Sequence, residues 1–156
     1  MVKLDEIDRK ILKILQEDCR ITIKELSIRF SLSSTPIFNR IKRMEKSGII
    51  DRYVAILNPD KVGKKFSAFC HVSLKDHSKS LVQKFVETIN ELNEVMECHY
   101  VTGNADFILK VITHDIEAYN QFIIDKLFRI ENISIVESLI SMAVSKKTHV
   151  IDLDQD

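Results

Sequence analysis

The segment 22–50 constrains this chain more than any other, because it is patterned as two short amphipathic helices joined by a tight turn. Thr22 followed by Glu25 is a capping box, which predicts where the first helix begins. Gly48 stands where the second helix is expected to end. Neither helix is long enough to bury its apolar stripe alone, and the turn has the length found in helix-turn-helix units that read DNA. The segment therefore predicts a DNA-binding motif.

The predicted second helix has an apolar face, with Ile37, Ile41 and Met44 at the helical period, and a polar, basic face opposite to it. Residue types suited to base edges lie near its start, and types suited to phosphates lie toward its end. Arg40 lies nearer the inward edge, from which its head is expected to reach a phosphate. The alternative is a solvated basic face on an ordinary helix. The candidate DNA-binding residues are Ser33, Ser34, Thr35, Phe38, Asn39, Arg40, Lys42, Arg43 and Lys46.

Charge is unevenly distributed along the chain, although its net value is zero. Residues 1–57 contain 12 Lys and Arg against 8 Asp and Glu, whereas residues 58–156 contain 11 against 15. This asymmetry indicates a basic head that contacts DNA and an acidic body that binds DNA poorly. No apolar run has the length of a membrane span, and the N-terminus lacks the apolar region of a signal peptide, so the expected location is the cytoplasm.

The three cysteines bear on compartment and on chemistry. Cys19, Cys70 and Cys98 are odd in number and widely spaced, which is typical of reduced cytosolic thiols. Cys70 and Cys98 each precede a histidine, but neighbours on a strand point to opposite faces, so neither pair predicts a metal site. Both are expected to be small core hydrophobes. Because no glycine-rich phosphate loop and no Ser/His/Asp arrangement stands out, we predict neither a cofactor nor an enzyme.

Residues 1–57 are predicted to form the head. An amphipathic first helix begins near Leu4 and packs across the two helices described above. The run 49–57 is strand-like and is expected either to form a small wing or to lead outward. A linker is placed at 58–63, because Pro59 cannot donate to a strand ladder.

Residues 64–156 are predicted to form a second domain, with strands and helices in the order βαββαβ and the last strand at 133–144. This order is that of the ferredoxin-like fold, an α+β architecture with both helices on one face of an antiparallel sheet. The other face would be left open, yet several strands are apolar on both faces, since Phe69 opposes the stripe of its strand, and Phe107 with Leu109 opposes Ile108 with Ile112. A second copy covering this face is the simplest explanation, so we expect a homodimer. Two-fold symmetry also suits a protein that reads paired half-sites.

The sequence resembles the Lrp/AsnC (feast/famine, leucine-responsive) transcriptional regulators over essentially its whole length. The resemblance lies in LSSTPIFNRIKRMEKSGII within the head and in HYVTGNADFILKV within the body. It implies a winged helix-turn-helix followed by a ligand-sensing RAM domain. It also implies dimers that assemble into tetramers or octamers, and an amino-acid effector bound between dimers.

The resemblance places the effector near the VTG-x-x-D turn and the last strand. The matching positions are Tyr100, Thr102, Gly103, Asn104, Ala105, Asp106, Val136, Ser138 and Ser141. Backbone N–H groups of the turn would bind the effector carboxylate, and the Asp106 carboxylate would accept from its ammonium group. The other interpretation is an ordinary hairpin turn, for which these residues are common. Many relatives have threonine where this chain has Val136, which favours a more apolar effector, weaker binding, or none.

We therefore expect a sequence-specific DNA-binding transcriptional regulator whose assembly or DNA affinity responds to a small effector, an amino acid in this family. The alternative from a different class is an architectural, nucleoid-type protein that wraps double-stranded DNA without an effector. A metabolite-binding enzyme with an incidental helical head is the third interpretation.

Overall fold

The computed structural model describes residues 3–153, which divide into two compact units. The first contains the described residues up to Ile56 together with those from Lys146 onward. The second contains Leu57–Ser145. No helix among the described residues is both long and apolar enough to cross a membrane.

Three helices form the first unit, and their ends follow from local capping. They are α1 (Glu6–Glu17), α2 (Ile23–Phe30) and α3 (Ser34–Lys46). The capping box predicted at Thr22 and Glu25 is confirmed, since each side chain accepts from the other residue's backbone N–H. Ser31 ends α2 in the left-handed conformation, with φ of 52°, and thereby makes the tight turn into α3. Ser33 occupies the N-cap position of α3 without a side-chain hydrogen bond.

The core of the first unit is built from the predicted apolar faces. Ile11, Leu26, Ile37 and Met44 are fully buried and pack in one cluster. Because each helix contributes only a narrow stripe, none of the three can be stable apart from the others.

The C-terminal segment packs on this unit, although it was predicted to belong to the second domain. Gln16 of α1 donates to the Ile151 carbonyl (3.1 Å) and accepts from the Ile151 N–H (2.6 Å). Arg9 donates to the Leu153 carbonyl (2.6 Å), and Leu153 packs against the helical core. The segment was not predicted here because these contacts join positions far apart in the sequence.

The strand-like run after α3 forms no strand. Residues 51–58, all within the described part of the chain, make no ladder, and most of their apolar side chains are exposed. A short 3-10 helix, Pro59–Val62, follows within the predicted linker and is capped by the Asn58 side chain.

The second unit has the predicted α+β architecture. Its elements are β1 (Phe66–Leu74), α4 (Lys79–Asn90), β2 (Val95–Tyr100), β3 (Phe107–Thr113), α5 (Ile116–Asp125) and β4 (Ile133–Ile140). The sheet has the order β2-β3-β1-β4 and is antiparallel throughout. β4 ends at Ile140 rather than Val144.

The two faces of this sheet differ in burial. Alternate residues of β1 and β3 pack with α4 and α5 in a single core, in which Phe85 and Phe107 are the largest fully buried side chains. On the opposite face Phe69, Ile135 and Leu139 are 39%, 63% and 44% exposed. The helices therefore cover one face only, as the sequence predicted, and the other face exposes these apolar side chains.

Candidate nucleic-acid interface and effector site

The outer face of α3 gathers most of the predicted DNA-binding residues. Ile37, Ile41 and Met44 face the core, so the residues between them point away from it. The exposed members of the predicted set are Ser33, Ser34, Thr35, Phe38, Asn39, Lys42, Arg43 and Lys46. They form one continuous surface because they share a helix.

Arg40 departs from the prediction. Its head does not reach outward toward a phosphate position but turns back to α1, where Nη1 contacts Asp5 (2.5 Å) and Asp8 (2.9 Å). Arg43 also contacts the Asp8 carboxylate. Its side chain is 46% exposed, against 24% for Arg40. The reason is a buried carboxylate on the neighbouring helix, which draws in the nearest guanidinium groups.

Two further contacts shape the surface of α3. Lys42 lies over the Phe38 ring, with Nζ 5.8 Å from the ring centroid, and pairs with Glu45 at 2.6 Å. The Tyr53 hydroxyl donates to the other oxygen of Glu45 (3.1 Å), and partial burial with this bond raises the pKa of Tyr53 to about 12. The contact with Lys42 is the main cause that lowers the pKa of Glu45. Near the end of α3, Glu45 therefore binds both the Lys42 ammonium group and the Tyr53 hydroxyl.

The predicted effector turn lies between β2 and β3. Gly103 has φ of 130°, a backbone conformation that favours glycine. Thr102, Gly103 and Asn104 are exposed, and Ala105 is half-buried. Their accessible backbone is the feature that suits a carboxylate ligand.

Asp106 has a structural role in addition to the one predicted for it. One carboxylate oxygen accepts from the Leu74 N–H (2.7 Å), and the other contacts Nε2 of His77 (2.9 Å). The bond from Leu74 is the main cause that lowers the pKa of Asp106. Both oxygens therefore connect the turn to the end of β1 and the residues after it, and the predicted contact with an ammonium group stays a prediction.

The other half of the predicted set lies on β4. Val136 packs against the helix-covered core. Ser138 accepts a hydrogen bond from the Tyr119 hydroxyl of α5 (2.5 Å), and Tyr119 also contacts the Cys70 sulfur (3.2 Å). Ser141 follows the strand, and its N–H donates to the Ser67 carbonyl.

The sheet order separates the two halves within one chain. Tyr100, Phe107, Val72 and Val136 lie in one row across the four strands, with Tyr100 and Val136 at opposite edges. Three strand spacings amount to about 14 Å, which is too far for one amino acid to contact both. The structure therefore brings together residues 100–106 but does not bring them to β4 of the same chain.

Four residues that contact the predicted sites were not predicted from the sequence: Asp5, Asp8, His77 and Tyr119. Asp8 carried a usable signal, because it lies one turn before Ile11 on the apolar stripe of α1, where a charge requires a buried partner. His77 and Tyr119 gave no signal, since their partners come from distant parts of the sequence.

Two of the three cysteines are consistent with packing roles, whereas Cys19 is exposed. Cys70 is fully buried, and burial raises the pKa of its thiol and of the half-buried Cys98 thiol. Within residues 3–153 no group of three His, Cys, Asp or Glu side chains is placed to hold a metal ion.

Comparison with known proteins agrees with this architecture. Residues 4–51 match the family model for winged helix-turn-helix DNA-binding domains, and residues 67–151 match the model for the Lrp/AsnC ligand binding domain. The chain is 34% identical over 154 residues to the transcriptional regulator AzlB of Bacillus subtilis, covering 99% of this chain and 98% of that protein. It is also 34% identical to the leucine-responsive regulatory protein of Escherichia coli, over 94% of this chain and 89% of that protein.

Solved structures of transcriptional regulators show the same similarity over nearly the whole chain. A transcriptional regulator of Neisseria meningitidis, crystallised as a complex with L-Met, has a TM-score of 0.92 and 33% identity, covering 97% of this chain and 98% of that one. An AsnC family regulator of Agrobacterium tumefaciens also has a TM-score of 0.92, with 38% identity and coverage of 97% and 98%. The chain therefore belongs to the Lrp/AsnC family of transcriptional regulators.

Proposed function

We propose that α3 lies in the major groove of double-stranded DNA and reads its sequence. The observation that carries this proposal is the single exposed face of α3, on which Asn39 lies among basic residues. Asparagine pairs bidentately with adenine, and an exposed aromatic edge such as Phe38 suits a thymine methyl group. Lys42 and Lys46 toward the end of the helix supply phosphate contacts and register, and the half-exposed Arg43 lies beside them.

The protein acts as a homodimer joined through the open face of the sheet. This face exposes Phe69, Ile135 and Leu139 side by side on neighbouring strands, an apolar surface that a second copy would remove from water. A symmetric pair also presents two recognition helices to paired half-sites. Further assembly into tetramers or octamers follows the family pattern.

The effector is an amino acid bound between subunits. The split of the predicted set supports this location, because residues 100–106 of one chain need residues 136–141 of another to complete a pocket. The relative from Neisseria meningitidis was crystallised with L-Met, which makes an apolar amino acid the first ligand to test. Val136 in place of a hydroxyl-bearing residue favours the same choice. The effector changes assembly through its different affinities for the assembly states.

As a regulator of transcription, the protein acts in the cytoplasm and does not catalyse a reaction. The nucleoid-type alternative predicts little discrimination between sequences, and competition with scrambled duplex separates the two.

The test of DNA reading uses two substitutions on the same helix. Asn39→Ala should lower discrimination at an adenine by about 1–3 kcal/mol and leave non-specific binding intact. Lys46→Ala should weaken binding to every sequence and flatten the salt dependence. If neither substitution changes DNA binding, α3 is not the reading helix.

The effector is tested by light scattering with and without L-Met. A change in oligomer size that saturates as the L-Met concentration rises supports the proposal. The same measurement on Asn104→Ala tests whether the turn takes part, because Asn104 is exposed there. If this variant loses the response to L-Met while its DNA binding is unchanged, the turn takes part in effector binding. A full response in this variant would exclude the Asn104 side chain.

A further inference from the structure

A buried carboxylate lies at the contact between α1 and α3. The Asp8 side chain is fully buried, although it belongs to the first turn of α1. Its own capping box accounts for part of its hydrogen bonding. The Asp5 N–H donates to one Asp8 oxygen (3.1 Å), and the Asp8 N–H donates to an Asp5 oxygen (2.8 Å).

Two arginines of α3 complete the coordination of this carboxylate. Arg40 contacts one oxygen of Asp8 (2.9 Å) and also Asp5 (2.5 Å), whereas Arg43 contacts the other oxygen of Asp8. Arg40 and Arg43 are three residues apart, so they lie on the same side of α3. A single carboxylate on α1 thus holds two successive turns of α3.

These ion pairs require more precise geometry than apolar packing does. A buried charge is costly unless its partners are present with good geometry, and an apolar residue would fill the same space at least as favourably. Guanidinium groups bind carboxylates in fixed directions, which apolar contacts do not require. The feature that the ion pairs add is therefore a defined rotation of α3 about its own axis.

We infer that Asp8 is a positioning residue for DNA recognition, which acts by fixing the orientation of α3 through Arg40 and Arg43. Functional groups that read a partner must be held to within about 0.5 Å, and Asn39 is the neighbour of Arg40 on this helix. Arg40 is consequently committed to Asp5 and Asp8 and makes no phosphate contact. The inference rests on the proposed function, that α3 binds DNA.

The test measures binding as a function of salt for Asp8→Asn, Arg40→Gln and a control, Lys46→Gln. The specific probe is the duplex that the unaltered protein enriches from a random-sequence library, and the non-specific probe is its scrambled version. Far-UV circular dichroism and thermal unfolding establish that each variant is folded at the assay temperature.

The expected result for Asp8→Asn is a loss of affinity for the specific probe without a loss of affinity for the non-specific probe. Specific affinity falls about ten-fold or more, the amount lost with one base contact. Non-specific affinity stays the same or rises, because two arginines lose their partner, and the salt slope steepens by about 0.9 for each phosphate gained.

Arg40→Gln separates positioning from direct contact. The expected result is a lower ratio of specific to non-specific affinity with an unchanged salt slope. Lys46→Gln should instead reduce the slope by about 0.9 for each phosphate lost. In the double variant Asp8→Asn with Arg40→Gln, the affinity ratio should fall by less than the two single variants together predict. Both substitutions remove the same contact, so their effects are not additive.

The inference is overturned if Arg40→Gln flattens the slope as Lys46→Gln does, or if Asp8→Asn leaves the ratio of affinities unchanged. If Asp8→Asn does not fold, the slope and ratio of Arg40→Gln decide alone. If DNA binding is unaltered in both Lys46→Gln and Asn39→Ala, the proposed function itself is contradicted, which distinguishes that failure from failure of the inference.

Discussion

The recognition helix and the predicted effector set differ in how their residues come together. On α3 the candidate side chains share one exposed face because thirteen successive residues form a single helix. In the body, residues 100–106 and 136–141 lie at opposite edges of the sheet because β3 and β1 lie between β2 and β4. The candidate residues on α3 thus share one surface within one chain, whereas the two halves of the predicted effector set do not meet within one chain. The difference shows that a set on one helix is fixed by the local sequence, whereas a set spread over a sheet depends on the order of the strands.

The largest expected effect tests whether head and body are separate folding units. Phe85 is 1% exposed, and its ring centroid lies 4.6 Å from that of Phe107. Phe85→Ala should destabilise the body by about 3–5 kcal/mol because it leaves a cavity in the core. Hydrogen exchange measured by mass spectrometry should show faster exchange in β1 and β3, with α1 and α3 unchanged.

The control for this experiment is Phe38→Ala. Phe38 is 44% exposed on α3, so its removal should change stability by no more than about 0.5 kcal/mol. Faster exchange throughout both units in Phe85→Ala would show that they unfold together.

The second prediction concerns Asp106 as an anchor of the turn. Asp106→Ala should lower the free energy of unfolding of the body by about 1–3 kcal/mol, because the Leu74 N–H loses its acceptor. His77→Ala is the matched control, since it removes only the exposed partner and should cost less. Chemical denaturation at neutral pH measures both variants. Equal losses would show that the bond to Leu74 is not the dominant contact.

The pH dependence of unfolding provides a second test of the role of Asp106. The bond from Leu74 lowers the folded-state pKa of Asp106 below its ordinary value of 3.8. A lowered pKa contributes stability above the unfolded-state value, and this contribution is lost as the pH falls through the folded-state pKa. The unaltered protein should therefore lose more stability than Asp106→Ala between neutral pH and the region below 3.8. Parallel pH profiles would contradict this assignment.

What could be predicted from the sequence follows the same division between local and distant contacts. The capping box at Thr22, the buried face of α3 and the order of the elements in the body depend on neighbouring residues, and the structure has them as predicted. The path of the C-terminal segment and the anchoring of Asp106 depend on residues distant in the sequence. Arg40 lies between these cases, because its position on the helix was predictable but its partner Asp8 was not considered.

The third prediction asks whether Ser138 supports the fold or faces a ligand. Ser138→Ala should destabilise the body by about 1 kcal/mol, because the Tyr119 hydroxyl loses one of its two contacts. Ser141→Ala, just beyond β4, is the control and should stay within about 0.5 kcal/mol. Thermal unfolding measures both. If Ser138→Ala retains full stability but loses its response to L-Met, Ser138 faces the effector instead.

The smallest expected effect concerns the segment that follows α3. Tyr53 lies in a part of the described chain that forms no strand, yet its hydroxyl reaches Glu45 of α3. Partial burial, together with this bond, raises its pKa from 10.0 to about 12. A raised pKa contributes stability that is present below the unfolded-state value and is lost as the pH rises through the folded-state value. The head should therefore weaken slightly between these two values.

Tyr53→Phe isolates this contribution because it removes only the hydroxyl. The unfolding free energy at neutral pH should change by no more than about 0.5 kcal/mol, since Tyr53 is 46% exposed and Glu45 keeps Lys42 as a partner. An ultraviolet titration of tyrosinate should lose its step near 12 in the variant, while the signal of buried Tyr119 remains. If Tyr53→Phe instead removes a step near the ordinary value of 10.0, Tyr53 is not held against α3. The recognition helix would then depend on α1 and α2 alone for its position.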